Sequence, residues 1–100
     1  MARSRPTMQW GDAEEIAACA LAFLASEPAQ LARFLALTGL EPADVRGRTD
    51  QPELLAAVLD HLAHDEPLLL VFAASVRLSP EDVGRALSVL QGAGPGPREA

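Results

Sequence analysis

Shifted by 38 residues, the chain matches itself. Asp12 falls on Asp50, Glu15 on Glu53, Leu21 on Leu59, Leu24 on Leu62, Leu31 on Leu69 and Phe34 on Phe72. The match closes with Leu40-Glu41-Pro42-Ala43-Asp44-Val45 over Leu78-Ser79-Pro80-Glu81-Asp82-Val83. Thirteen of the 34 pairs from residue 12 to residue 45 are identical, where roughly three or four would arise by chance in a chain so rich in Ala and Leu. Each copy must then be one supersecondary unit. Two copies with no third to extend them close on each other rather than stack into an open solenoid.

Composition decides what the unit is made of. With 19 Ala and 16 Leu against one Ile, six Val and no Tyr among 100 residues, good helix formers far outnumber residues that favour strands. The expected fold is all-α: a compact six-helix bundle built from two pseudo-symmetric three-helix repeats, with Phe34 and Phe72 meeting near its centre.

The start and stop signals are legible. Asp12 is the expected cap of a first helix that shows Ile16, Ala20, Phe23 and Leu24 on one face, and Glu14 and Glu15 suit the positive end of its dipole. Cys19 is expected on that apolar face as a small buried residue. Pro28 opens a second helix with Leu31, Phe34, Leu35 and Thr38 inward, and Gly39 ends it in the left-handed conformation. Pro42 to Gly47 makes a short third helix. Asp50 and Glu53 form a capping box for a fourth, with Leu54, Leu55, Val58, Leu59 and Leu62 as its stripe. After Asp65-Glu66-Pro67, the segment from Leu68 to about Val76 is apolar nearly all round and reads as the central helix. Ser79 caps a sixth helix carrying Val83, Ala86, Leu87 and Leu90. In both repeated hexamers the leucine before the cap and the valine five residues on form a hydrophobic staple. Residues 11–91 are thus expected to form one helical domain. Residues 1–10 read as a flexible N-terminal segment and 92–100 as a disordered Gly/Pro tail.

The net charge of −6 argues against a surface that tracks phosphates, because nucleic-acid affinity rests on clustered basic residues. One cysteine excludes an internal disulfide, and no apolar run reaches the length of a membrane span, so a cytoplasmic protein is expected. No catalytic constellation stands out: the glycines are scattered singly, and no nucleophile has a convergent base. His61 and His64 are one i, i+3 pair, short of the three or four ligands zinc requires; they read as partly exposed imidazoles whose protons the helix C-terminus favours. Metal, cofactor and catalytic residues are therefore expected to be none. Arg33, Arg46 and Arg48 could hold an acidic partner from the corner between the second and third helices, and Asp60, Asp65 and Glu66 mark a second, acidic corner. Trp10 reads as packing against the first helix.

Taken in order, Ala20-Leu21-Ala22-Phe23-Leu24-Ala25, Leu31-Ala32-Arg33-Phe34-Leu35, Thr38-Gly39-Leu40-Glu41-Pro42, Val58-Leu59-Asp60, Asp65-Glu66, Leu68-Leu69-Leu70 and Phe72-Ala73-Ala74 resemble the alphaproteobacterial family called domain of unknown function 3572. The resemblance covers nearly all of the expected helical domain. A glycine is expected before Leu78 as Gly39 stands before Leu40, and Arg77 departs from that pattern. The resemblance implies a bacterial cytoplasmic helical protein with no assigned activity, and it points to a signalling partner such as a response regulator. The expected function is a non-catalytic protein–protein interaction or adaptor module. The competing expectation is a nucleic-acid-binding, helix-turn-helix-like protein using Arg46 and Arg48.

Overall fold

The computed structural model describes residues 8–92, and the terminal segments 1–7 and 93–100, with the expected disorder of the tail, lie outside the described residues. Six helices follow one another: α1 (Trp10–Ala25), α2 (Pro28–Thr38), α3 (Pro42–Gly47), α4 (Pro52–Ala63), α5 (Glu66–Ser75) and α6 (Pro80–Leu90). The described residues form no strand.

Prolines set most of these boundaries. Pro28, Pro42, Pro52, Pro67 and Pro80 all stand in the first two positions of a helix, where the missing N–H removes a donor that would have no partner. At α3 the Glu41 N–H donates to Asp44 Oδ2 at 3.0 Å. At α6 the Ser79 N–H donates to Asp82 Oδ2 at 3.1 Å, and the Asp82 N–H returns the bond to Ser79 Oγ. The two repeated hexamers therefore start helices as expected.

Two other starts differ from the sequence reading. Asp12 does not cap α1; Gln9 does, and its N–H donates to Asp12 Oδ2 at 3.0 Å. The helix gains two residues ahead of Asp12, including Trp10, which packs partly buried against the core. Likewise Gln51, not Asp50, precedes α4, because Pro52 fixes the first helical position.

The core is built where α1, α4 and α6 each pack on the other two. From α1 it takes Ala13, Ala17, Ala20 and Leu24, all fully buried. Ile16 and Phe23 lie at its margin. Three alanines in succession leave no bulk between backbones, so neighbouring helices can approach closely. α4 supplies Leu54, Leu55, Val58, Leu59 and Leu62, and α6 supplies Val83, Ala86 and Leu90. Each fully buried Leu or Val contributes about 1.5–3 kcal/mol, which makes α4 the largest single contributor.

α5 is not the central helix that its composition suggests. Only Phe72 and Ala73 are buried, while Leu70 and Val71 are 48% and 58% exposed. An apolar residue on every side gives a helix no preferred inward face. The alanine-rich α1, which can be approached more closely, takes the centre instead.

Nor do Phe34 and Phe72 meet. Phe72 tilts against Phe23 of α1 with ring centroids 5.5 Å apart, and Phe34 meets His61 of α4 edge-on at 5.3 Å. The two contacts correspond: a step of 38 residues carries Phe23 to His61 and Phe34 to Phe72. The turns correspond too. Gly39 ends α2 at φ 77°, and Arg77, following α5, stands at φ 61°, the one non-glycine residue with positive φ among those described. After α5 the Leu78 N–H donates to Ala73 O at 2.9 Å and the Arg77 N–H to Ala74 O at 3.3 Å. That is the bonding of a Schellman turn, which asks for a left-handed residue where Arg77 stands.

Candidate functional site

The six residues singled out from the sequence do not form one site. Arg33, on α2, lies close enough to His61 to oppose its protonation, and Asp60 and Asp65 lie close enough to favour it. Three of the six thus gather around the α2–α4 contact. Arg46 is on α3 and Arg48 at its C-terminal cap, both exposed. None of the three arginines makes an ion pair among the described residues. Asp65 Oδ1 accepts the Leu68 N–H at 3.3 Å and caps α5, and Glu66 is the exposed first residue of that helix.

The histidines behave differently from each other. His64 is exposed at the end of α4, its Nδ1 2.9 Å from Asp60 O and 3.5 Å from Asp60 Oδ1. His61 is turned inward onto Phe34, and its Nε2 is buried with no hydrogen-bond partner. Desolvation, and after it the Arg33 charge, pull its pKa below the usual 6.5. The expectation that the helix terminus favours its proton is therefore corrected. Burial against a phenylalanine outweighs a partial charge that acts mainly through exposed groups.

Two clefts remain. One, of about 170 Å3, runs between α3 and α4 over Leu40, Leu54 and Ala57, with Asp44, Arg48 and Glu53 at its edge. The other, of about 360 Å3, lies between α1 and the α5–α6 turn and is lined by Asp12, Glu15, Ile16, Cys19, Val76 and Leu78. Cys19 is exposed there rather than buried, because the inward face of α1 is the alanine line and not the side carrying Ile16. Thr38 is exposed as well and donates to Phe34 O at 2.8 Å.

Sequence reasoning missed the exposed apolar groups Leu37, Leu70 and Val71. On α5 the exposed positions 67, 70, 71 and 74 fall at helical spacing and are apolar, with exposed Glu66 and Ser75 at the two ends of the helix. The signal was present in the sequence, but an all-apolar helix does not say which side faces out. Among the described residues no three His, Cys, Asp or Glu side chains gather as a metal could require, and no helix is long and apolar enough to cross a membrane.

A small all-α domain with an alanine-packed centre and uncovered apolar faces is the class that these features define. The chain belongs to the family described as "Protein of unknown function (DUF3572)", whose model matches residues 11–93. No curated protein and no solved structure matches the chain.

Proposed function

We propose that the protein is a non-catalytic cytoplasmic module that binds a protein partner through the outer face of α5. The observation that carries this reading is the uncovered stripe of Pro67, Leu70, Val71 and Ala74, in which Leu70 and Val71 are 48% and 58% exposed. Apolar groups gathered on one helix face, rather than scattered singly, mark interaction surfaces. Glu66 at the start of the stripe and a net charge of −6 favour a partner with basic residues around an apolar contact. A response regulator is the first partner to try, and the exposed Arg46 and Arg48 at the end of α3 offer it a second, basic contact apart from Arg33.

The test is affinity capture with tagged protein from lysate of the source cells, at low and high salt, with and without nuclease. Wild type should retain a stoichiometric protein that a folded L70E/V71E variant releases. Retention of nothing, or only of material that nuclease removes, overturns the reading and moves nucleic acid to the front.

We also read the 38-residue correspondence as two three-helix repeats about a pseudo-twofold axis. The paired ring contacts, the left-handed residues at 39 and 77 and the two cap boxes support it. The third helices have diverged, α3 being six residues long and α6 eleven.

A further inference from the structure

We propose that His61 is a proton-operated latch on α2: the neutral ring holds Phe34 against α4, and uptake of a proton from solvent releases α2 while α5 stays docked. The inference goes beyond the interaction reading and does not depend on it.

The argument starts from position. His61 occupies in the second half the place that Phe23 occupies in the first, and both rings receive a phenylalanine from a neighbouring helix at nearly the same separation, 5.3 and 5.5 Å. A slot that one half fills with an apolar ring is filled in the other by a ring that can become charged. A neutral imidazole can leave one nitrogen without a donor's obligation, whereas an imidazolium carries an N–H on both. Nε2 is buried and no acceptor lies within reach of it, so the charged form has nowhere to place its second N–H while the contact is closed. Opening the contact gives that N–H to water.

The surrounding charges set the direction. Arg33 on α2, the helix to be released, repels the imidazolium, so protonation acts directly on the moving element. Asp60 on α4 and Asp65 at the cap of α5 attract it, and both belong to the side of the contact that remains. No charged group of α1 or α6 acts on the ring among the described residues; these helices meet α4 through buried Ala, Leu and Val. The proton therefore pushes α2 away and leaves His61 in place. Phe34, fully buried in the closed form, becomes accessible.

The experiment is hydrogen exchange by mass spectrometry from about pH 7.5 to about pH 5, the range in which histidine titrates, after correction for intrinsic exchange. In wild type, protection of α2 should fall below pH 6.5 by up to about tenfold per pH unit for a single proton. α5, held by Phe23 and Phe72, should keep its protection. H61F, with H61L as a second variant, should abolish the pH dependence in α2, and F23H should confer it on α5. Flat protection of α2 in wild type overturns the latch. So does loss of protection in α2 and α5 together, or an unchanged pH dependence in H61F and H61L.

Discussion

Arg77 stands in a backbone conformation that suits glycine, and replacing it by glycine should stabilise the protein. At φ 61° the Cβ of an L-residue crowds the following carbonyl at a cost of about 1–2 kcal/mol. Glycine removes that cost but adds about 0.5–1 kcal/mol of backbone entropy in the unfolded chain. R77G should therefore gain about 0.5–1 kcal/mol, a rise of roughly 3–6 °C in Tm for a domain of this size. Urea unfolding followed by circular dichroism at 222 nm should show a higher midpoint with an unchanged slope. R77A separates strain from charge, because alanine keeps the crowded Cβ and should unfold close to wild type. Gly39 supplies the reverse test: nothing lies within 4 Å of a Cβ built there, so G39A probes the backbone alone and should lose about 1 kcal/mol. An R77G protein no more stable than R77A refutes the argument, and an R77A protein clearly less stable than wild type assigns the Arg77 side chain a stabilising contact.

The remaining expectations concern packing, capping and pH. A17L, at a fully buried alanine of α1, should cost about 1–3 kcal/mol by overpacking, read as a lower urea midpoint. S79A removes the acceptor of the Asp82 N–H and should cost about 1 kcal/mol in the same assay. Because the folded pKa of His61 is depressed, its neutral form is the folded one. Its contribution is complete above the unfolded value of 6.5 and declines as pH falls below that toward the folded value. Tm measured from pH 7.5 down to about pH 5 should fall more steeply in wild type than in H61F.

Local signals made most of the fold legible. Prolines in the first turn, acidic or Ser caps and a glycine at the end of α2 are short-range devices, and the elements they bound are close to those observed. What could not be read was which faces meet. In α1 the sequence offers Ile16, Ala20, Phe23 and Leu24 as the inward face; Ala20 and Leu24 are buried, but Ala13 and Ala17 fill the core where Ile16 and Phe23 stay at its margin. Close approach of helices is a property of pairs, which a single strip of hydrophobicity does not contain. For α5 the difficulty is the opposite, an apolar residue on every side. The pairing of Phe34 with His61 was hidden for a related reason: the repeat places equivalent residues but does not say which half each will contact. Of the residues proposed for partner contacts, Arg33, Asp60 and Asp65 come together around His61. Arg46 and Arg48 stay apart from them because α3 and its cap carry their side chains outward.

α6 lies against both α1 and α4, so the last helix of the second half fills a groove with one wall in the first. Neither half owns a complete core. Such an arrangement resembles an arch more than two bricks: α1 on one side and α4 and α6 on the other lean on each other, and a cut between α3 and α4 parts them. A substitution on one side of this contact is therefore judged by residues far away along the chain.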